Sequence, residues 1–469
     1  MSSQFSHTCA ALSTANGKAG IAVIRASGDD AIDIASKVFR PASGKALSET
    51  EANRAVFGTI FGTDGNVIDT GIATCFIAPH SYTGENTVEI SCHGSPVGTS
   101  LVLAALYCAG AKPAIPGEFT RRAFINGKID LTQAEAVGEL LDSESVTQLR
   151  LSVSKTGGSL GRNIRKISDG IEDMLAAVYA YIDYPDEDMA DMTDAEIIER
   201  IGEYRRKLEK LSATYSTGLA VTKGVKSVIA GSPNTGKSTF FNLLSGYDRA
   251  IVTDVAGTTR DVISETVEVC GIKLHISDTA GIRETSDGIE KIGVEKSREA
   301  MEDGELIIAL FDVSKEMSEE DEAFAEKIYS YKDEKNIIII LNKTDKAVSE
   351  KSVDDMKRRF ENRGFENVVK LSAKTGGGKK EFEEVLLRLY PLSEGDISGG
   401  AILTSARQYS AVTMALEAVK RAERAMKELT RDMAGLDLEE ALSCLCEADG
   451  RKVSEEVVGK IFSHFCVGK

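Results

Sequence analysis

The stretch Gly231-Ser-Pro-Asn-Thr-Gly-Lys-Ser238 decides the fold of the central part of this chain. An apolar run, Val228-Ile-Ala230, precedes it, and a segment with helical character begins at Thr239. Strand, glycine-rich loop and helix in this order are the context of a phosphate-binding loop. There the main-chain N–H groups and the positive end of the helix surround the phosphates. In such a loop Lys237 reaches the β- and γ-phosphates, and the hydroxyl of Ser238 holds Mg²⁺.

The segment from about residue 220 to 391 alternates strand and helix patterns, which is typical of an α/β domain with a parallel sheet. Its strand patterns are continuous apolar runs, and these predict strands that are buried on both faces. The predicted strands are Lys226–Ala230, Lys273–Ser277, Leu306–Phe311, Ile337–Leu341 and Val368–Leu371, with Thr266–Gly271 as a hairpin partner of the second.

Four further motifs follow the loop, each at the end of a predicted strand or in a polar loop. The loop Thr253–Asp261 offers a switch threonine for Mg²⁺, and Asp278-Thr-Ala-Gly281 supports the metal and the γ-phosphate. In Asn342-Lys-Thr-Asp345, the carboxylate can accept two bonds from guanine that adenine cannot supply. Ser372-Ala-Lys374 can present a backbone N–H to guanine O6. Together the five motifs predict a GTP site in a Ras-like P-loop GTPase fold.

The predicted GTP-binding residues come from all five motifs. They are Asn234, Thr235, Gly236, Lys237, Ser238, Thr239, Thr253, Thr258, Thr259, Asp278, Thr279, Ala280, Gly281, Asn342, Lys343, Thr344, Asp345, Ser372, Ala373 and Lys374.

The residue that orients the attacking water in Ras-type GTPases is missing, because Ile282 stands where those proteins place a glutamine. Either hydrolysis is very slow or another residue acts. Glu290 lies in the same switch and is one candidate, although a charged helix start explains it equally well. No arginine finger is evident; Arg260 and Arg283 are candidates, although arginines in switch segments more often face solvent. Asn234, together with carbonyl groups of the Thr253–Thr258 loop, could instead hold a monovalent cation against the phosphates.

The composition of the chain limits the number of domains, the cellular compartment and the classes of partner. The chain has 469 residues, 42% hydrophobic and 28% charged, and a prior of about 150 residues per domain predicts three domains. No apolar run is long enough to span a bilayer, and the first residues lack a signal pattern, so we expect a cytoplasmic protein without a membrane partner. Eight irregularly spaced cysteines favour a reducing compartment. A net charge of −17 argues against broad, sequence-independent binding of nucleic acid, so an RNA partner must meet local basic patches or a second protein.

The flanking segments predict an α+β domain and a helical domain. Residues 1–128 contain short β-rich runs and one apolar helix, but no nucleophile–base pair or metal spacing. Helical patterns fill 129–219, where Thr132-Gln-Ala-Glu135 and Thr193-Asp-Ala-Glu196 have the form of capping boxes. Glycines 395, 399 and 400 suggest a linker, and further helices follow within 392–469. These are too few to form a core alone, so we predict one helical domain with the GTPase domain, 220–391, inserted.

The motifs closely resemble those of the tRNA-modification GTPase family called MnmE or TrmE, over essentially the full chain. The resemblance rests on the motifs above, on Asp278–Ser297, and on two stretches outside the GTPase segment, Pro116–Ala136 and the terminal Phe465-Cys-Val-Gly-Lys469. It implies a multidomain α+β and α/β protein: an N-terminal folate-binding-like domain that dimerises, a central helical domain and the inserted GTPase domain. It also implies a flavoprotein partner, MnmG (GidA), and modification of the wobble uridine of certain tRNAs with a 5-carboxymethylaminomethyl-type group.

The resemblance also implies roles for individual residues. Ser238 and Thr259 would bind Mg²⁺, and Asn234, Thr253, Val255 and Thr258 would bind K⁺. Glu290 matches the family's catalytic glutamate and would act with Lys237. Arg25, Glu89, Lys128 and Lys469 match contacts to 5-formyl- or methylene-tetrahydrofolate. Cys466 is a candidate for the modification chemistry, although a structural role explains it as well.

Two other functions fit parts of the sequence. A GTP-dependent RNA-binding factor for ribosome assembly would need an RNA-binding module, which the acidic, helical flanks do not supply. A regulatory switch would report nucleotide state without assisting any chemistry. Binding of tetrahydrofolate separates both from the leading hypothesis, because only a tRNA-modification GTPase of this kind requires it.

Overall fold

The computed structural model describes residues 7–183, 193–246, 265–277, 300–428 and 431–469. It divides into two compact units. The first unit comprises Met1–Gly138, Thr156–Glu172 and Glu439–Lys469, and the second comprises Glu139–Lys155 and Asp173–Leu438, each within the described ranges. The acidic segment Asp183–Asp188, in which Pro185 predicts a break between helices and a solvated turn, lies outside the described residues from 184 onward. The predicted domain ranges 1–128, 129–219, 220–391 and 392–469 stay a prediction.

The first unit is built on a seven-stranded sheet in the order β3-β4-β5-β6-β2-β1-β7. Its strands are β1 Cys9–Leu12, β2 Ala19–Ser27, β3 Phe39–Pro41, β4 Ala55–Phe61, β5 Val67–Phe76, β6 Thr87–Gly94 and β7 Lys112–Pro113. All neighbours are antiparallel except β1 and β7. The β-rich runs of the sequence at Gly20–Arg25, Gly71–Ile77 and Thr87–Ser91 predict three strands, and these are confirmed as β2, β5 and β6. Helices α1 Ala31–Val38 and α2 Pro96–Ala109 share a buried core with the sheet, which includes Ile24, Ile90 and Leu106.

Helices complete the first unit. They are α3 Glu118–Ile125, most of α4 Leu131–Leu141, the N-terminal part of α6 Ser159–Asp183, the C-terminal part of α14 Arg431–Asp449, and α15 Glu455–Ser463. Leu131, Ala134, Val458 and Phe462 form a small core between α4 and α15. The terminal residues, which are far from α3 in sequence, therefore belong to the same unit as α3 and α4.

The helical character predicted from about residue 130 is confirmed, but the capping box predicted at Thr132–Glu135 lies two residues too late. Asp130 caps α4, because its carboxylate accepts a hydrogen bond from Gln133 N at 2.9 Å, and the Gln133 side chain accepts one from Asp130 N at 3.0 Å. This is a capping box with Asp and Gln in place of Thr and Glu. Thr132 is already inside the first turn, where it is buried and donates to Asp130. The second predicted box is confirmed, since Thr193 and Glu196 bond reciprocally at the start of α7 Asp194–Thr222.

A buried ion network holds α3 against the sheet. Arg122, fully buried, donates to Glu118 at 2.6 Å and to Glu85 at 2.9 Å, and Ser27 also donates to Glu85 at 2.9 Å. The guanidinium additionally bonds the main-chain carbonyl groups of His7 and Ser27. Charges are buried in this way only when each has partners, so the network depends on Arg122.

We expect Arg122→Leu to destabilise the first unit by about 3–5 kcal/mol, because Glu85 and Glu118 would remain buried without their cation. Hydrogen exchange in the full chain should show faster exchange across β2, β6 and α3. The control is Arg54→Leu, whose ion pair with Glu51 lies on the surface and contributes less than about 1 kcal/mol. Equal exchange rates in both variants would contradict the role assigned to Arg122.

The second unit contains a six-stranded sheet in the order β13-β12-β11-β8-β10-β9. Its strands are β8 Val225–Ala230, β9 Glu265–Val269, β10 Ile272–Ser277, β11 Leu306–Asp312, β12 Asn336–Asn342 and β13 Val368–Lys370. All pairs are parallel except the β9–β10 hairpin. The mixed α/β architecture and all six predicted strands are confirmed. The apolar runs are buried on both faces, with Ile308 and Ile340 in one core and Ile307 and Ile339 in the other.

The second unit has the following described helices. They are α5 Val146–Thr156, the C-terminal part of α6, α7, α8 Lys237–Ser245, α9 Glu319–Tyr329, α10 Glu350–Asn362, α11 Lys379–Leu389, α12 Glu394–Gly399, α13 Ala406–Glu428 and the N-terminal part of α14. The predicted glycine linker is in part wrong, because Ser393 caps the short helix α12 and only Gly400 stands beyond its end.

Helices α7 and α13 pack against each other in antiparallel orientation. Arg205 on α7 donates to Glu423 at 2.9 Å, and Tyr215 stacks on Tyr409 with ring centroids 4.2 Å apart. At the end of α7, Gly218 lies against the carbonyl of Leu403, too close to admit a side chain. The chain therefore leaves α7 for the sheet and returns beside the end of the same helix, which is the geometry that an inserted α/β domain requires.

No helix among the described residues combines the length and the apolar composition needed to cross a bilayer.

Candidate nucleotide-binding site

The phosphate-binding loop joins the end of β8 to the start of α8. Gly236 has a φ of +95°, which is accessible to glycine, and a Cβ there would collide with the Asn342 amide. A Cβ on Gly231 would lie 2.6 Å from the Leu310 carbonyl oxygen. Both predicted loop glycines are therefore required by close contacts with the neighbouring strands β11 and β12, which run parallel to β8 on the same side of it.

Lys237 is the first residue of α8, and its side chain folds back over the loop. Its Nζ donates to the carbonyl groups of Gly231 at 2.9 Å and Ser232 at 3.0 Å. Burial lowers the pKa of the Lys237 ammonium below its usual value, because the charged form is desolvated. The ammonium group is thus held against the main chain of the loop. Phosphate oxygens bound there would replace the water that the group loses on burial.

Asn342 connects the phosphate loop to the last motif. Its amide nitrogen donates to the carbonyl of Thr235 at 2.8 Å, and its amide oxygen accepts from Ala373 N at 3.0 Å. The side chain is almost fully buried, as is Thr235. Asn342 therefore fixes the phosphate loop, the guanine motif and the Ser372–Lys374 motif relative to one another. The sequence placed Asn342 in the guanine motif but did not indicate this connecting role.

Lys343 reaches from the guanine motif to the phosphate loop. Its Nζ donates to the carbonyl of Asn234 at 2.6 Å and forms an ion pair with Asp312 at 2.7 Å. Burial alone would raise the pKa of Asp312, but hydrogen bonds from Lys343 and Ser314 hold it below its usual value. The sequence analysis missed Asp312, although its position at the end of an apolar strand was a signal that could have found it. Asn234 and Lys343 both have positive φ, which fits two tight turns brought together.

Asp345 is placed for contact with a base. It is exposed, and Ser372 donates to one of its carboxylate oxygens at 2.6 Å. That hydrogen bond holds the pKa of Asp345 below its usual value, so the carboxylate stays ionised as an acceptor. Ser372 thus orients the group that would recognise guanine, in addition to belonging to the motif that would contact O6.

We expect Ser372→Ala to weaken GTP binding about fivefold, because Asp345 loses the bond that orients it. The loss of that bond also raises the pKa of Asp345, so the carboxylate becomes protonated at higher pH. As pH falls, GTP affinity should therefore decline earlier in the variant than in the wild type. Titrations with a fluorescent GTP analogue between about pH 4 and pH 7 measure both effects. Titration of the phosphates affects both proteins equally, so identical curves would contradict this role.

The remaining described residues of the predicted set lie around this cluster. Ser238 and Thr239 are in the first turn of α8, Thr344 begins a short 3₁₀ turn that includes Asp345, and Lys374 is exposed beside Ala373. The predicted residues outside the described part of the chain are Thr253, Val255, Thr258, Thr259, Arg260, Asp278, Thr279, Ala280, Gly281, Ile282, Arg283 and Glu290. Strand β10 ends at Ser277, directly before Asp278.

In the first unit, Arg25 and Lys469 both contact Phe119, and Glu89 contacts Arg25. Arg25 pairs with Glu89 across β2 and β6, with N–O distances of 2.7 and 2.9 Å. Its guanidinium lies 5.4 Å from the ring centroids of both Phe119 and Tyr82. The main-chain N of Phe119 donates to the Lys469 carbonyl at 3.0 Å. The sequence analysis missed Tyr82 and Phe119, the aromatic residues that join the predicted ones.

Lys128 and Cys466 also belong to the first unit. Lys128 Nζ donates to the carbonyl of Pro79 at 2.9 Å, in the loop that also contains Tyr82. The carbonyl of Cys466 accepts from Gly117 N at 3.3 Å, and the Cys466 side chain is exposed. The C-terminal peptide is thus bound by main-chain hydrogen bonds at the start of α3, with its thiol facing solvent.

The chain matches two family models. Residues 8–128 match the model described as GTP-binding protein TrmE N-terminus, and residues 131–466 match the MnmE helical domain. Relatives named tRNA modification GTPase MnmE match nearly the whole chain. The relative from Acetivibrio thermocellus is 36% identical and that from Aquifex aeolicus 37%; in each case 98% of this chain and 99% of the relative are covered.

Solved structures of Era also show similarity. A single-residue variant of Aquifex aeolicus Era bound to GDP·AlF4⁻ is 23% identical, and the match covers 41% of this chain and 65% of that chain with a TM-score of 0.28. A TM-score of this size does not establish a shared fold.

Proposed function

Because the chain belongs to the tRNA modification GTPase MnmE family, we propose that it is a K⁺-stimulated GTP hydrolase that works with the flavoprotein MnmG. The chain is a GTPase in tRNA modification. The proposed reaction installs a 5-carboxymethylaminomethyl group on the wobble uridine of certain tRNAs, with a tetrahydrofolate one-carbon unit. The observation that carries the GTPase part is that Lys237, Asn342 and Lys343 all bond main-chain carbonyl groups of the phosphate loop, while Ser372 orients Asp345 of the same guanine motif.

In the proposed mechanism the loop holds the phosphates and α8 points its positive end at them. Ser238, in the first turn of α8, and Thr259 would hold Mg²⁺. Asn234 stands at the exposed rim of the loop with its main-chain carbonyl fixed by Lys343, so its side chain is available for K⁺. Bound K⁺ would supply positive charge to the transferring phosphoryl group, in the way an arginine finger does. The remaining proposed K⁺ ligands are Thr253, Val255 and Thr258.

Glu290 is the proposed residue that orients the attacking water, since Ile282 has no polar group for this role. Its carboxylate can accept a proton or a hydrogen bond from water, which the position requires.

The proposed folate site is the cluster of Arg25, Glu89, Lys128 and Lys469. Arg25 and Lys128 offer positive charge, and Tyr82 and Phe119 offer aromatic faces, which together suit a ligand that has a flat ring and carboxylates. Cys466 is exposed nearby along α3 and is the proposed group for modification chemistry. The proposed assembly is a homodimer that binds MnmG and tRNA in the cytoplasm.

The test is mass spectrometry of tRNA wobble nucleosides from cells that lack this chain. The modified uridine should disappear and return with the wild-type chain, but not with Glu290→Ala. Purified Glu290→Ala should bind GTP normally and hydrolyse it at least about 100-fold more slowly. Unchanged wobble nucleosides in the cells lacking the chain would overturn the proposed reaction. Equal GTP turnover in K⁺ and Na⁺ would overturn the cation assignment.

A further inference from the structure

The first two turns of α6 carry positively charged side chains at a position where they do not stabilise the helix. Between Glu144 and Asp169 the sequence contains no acidic residue, although the chain has a net charge of −17. Arg162, Arg165 and Lys166 lie in these turns and are exposed. Positive side chains near the N-terminus of a helix add to the positive potential of the helix dipole, which is unfavourable for the isolated helix. A negatively charged ligand bound at this end of the helix would offset this unfavourable electrostatic energy.

A second element adds to this charge. The turn after α14 carries Arg451 and Lys452, both exposed. Arg451 donates to Ser168 of α6 at 2.9 Å and to Asp449 at 2.8 Å, so the turn is held against α6. We call Arg162, Arg165, Lys166, Arg451 and Lys452 the basic surface.

Acidic residues mark its limits. Asp449 is buried and paired with Arg451, so it removes one positive charge from the surface but does not face solvent. Asp169 and Glu172 follow further along α6, and Glu455 and Glu456 begin α15. The basic surface is therefore a bounded patch with a net positive charge, in a chain whose net charge is −17.

The position of the patch relative to the C-terminal peptide follows from α3. At one end of this helix, Gly117 N donates to the carbonyl of Cys466. Near the other end, Gly450, next to Arg451, lies against Phe124 and Leu131. Helix α3 spans Glu118–Ile125, which corresponds to about 12 Å at roughly 1.5 Å per residue. This length equals about three to four nucleotides of a stacked strand.

We propose that the basic surface binds the phosphate backbone of tRNA and so holds the substrate near the C-terminal peptide. This proposal rests on the proposed function in tRNA modification, and it adds a docking site for the tRNA substrate. Phosphates match the charge of the patch, and release of their counterions supplies the binding free energy. The two arginines of α6 can also form bidentate contacts with phosphate oxygens.

The test compares the wild-type full chain with Lys166→Glu/Lys452→Glu. Neither lysine side chain has a partner among the described contacts, whereas Arg451 neutralises a buried carboxylate and is left in place. Binding of unmodified tRNA is measured by fluorescence anisotropy between about 50 and 200 mM KCl. We expect affinity to fall at least about tenfold and the salt dependence, the slope of log K against log salt, to decrease by about 2. Basal GTP hydrolysis should not change.

The matched control is Lys18→Glu/Lys45→Glu, which makes the same change of net charge on exposed lysines of other loops. Its tRNA affinity should stay within about twofold of the wild type. Wild-type affinity in Lys166→Glu/Lys452→Glu, or equal losses in both double variants, would overturn the docking site. Loss of MnmG binding with unchanged tRNA binding would also overturn it. If the wild-type chain with MnmG fails to modify tRNA at all, the proposed function itself fails.

Discussion

Lys237→Ala lowers the rate constant of GTP hydrolysis by about 10²–10³-fold, because it removes a cation aimed at the transferring phosphate. The Nζ lies within hydrogen-bond distance of two loop carbonyl groups, so it is already positioned before nucleotide binds. No solvent has to be reorganised around it when charge develops on the phosphate. Single-turnover hydrolysis measures this effect separately from nucleotide exchange.

The control for this variant is Lys351→Ala, which removes an exposed lysine of α10 in the same unit. Its hydrolysis rate should equal that of the wild type within about twofold. Thermal unfolding of both variants excludes a loss of folded protein. If Lys237→Ala hydrolysed GTP at a rate close to the wild type, the loop would not be the catalytic phosphate site.

Asp345→Asn should lower GTP affinity by about 10²–10³-fold and increase the affinity for xanthosine triphosphate. The carboxylate accepts bonds from N1–H and from the exocyclic amine of guanine, and an amide can accept only one of them. Xanthine carries a carbonyl in place of that amine, and the asparagine NH₂ can donate to it. The selectivity ratio between the two nucleotides, measured by competition, should therefore reverse.

Asp333→Asn is the control for charge, because Asp333 is an exposed carboxylate in a loop of the same unit. Its selectivity should remain that of the wild type. If Asp345→Asn kept the wild-type preference for GTP, the base would be read by other residues.

The sequence predicted the strands and the phosphate loop because their signals are local. Continuous apolar runs such as Ile337–Leu341 can be buried only in the middle of a sheet, and the glycines of the loop have few alternatives beside a strand and a helix. The end of each strand then identified the guanine motifs. The parallel register, in which Asp312 pairs with Asn342 and Ala309 with Ala230, places these ends side by side.

The connections between motifs could not be predicted in the same way. Asn342 bonds Thr235 and Ala373, which are far from it in sequence, and this depends on the register and twist of three strands. The partnership of Phe119 with Arg25 and Lys469 likewise joins segments that are far apart in sequence, namely α3, β2 and the C-terminal peptide. The capping residue of α4 was predicted at the wrong position for a local reason. Asp130 and Thr132 are both favourable N-cap residues, and the sequence spacing alone does not show which of them begins the helix.

The most direct measurement is a crystal structure of the full chain with a non-hydrolysable GTP analogue and Mg²⁺. We expect phosphate density among the main-chain N–H groups of residues 232–239, with Lys237 Nζ bonded to the phosphate oxygens and the guanine edge bonded to Asp345. Nucleotide bound elsewhere, or a loop in which Lys237 stays on its own carbonyl groups with no room for phosphate, would contradict this expectation.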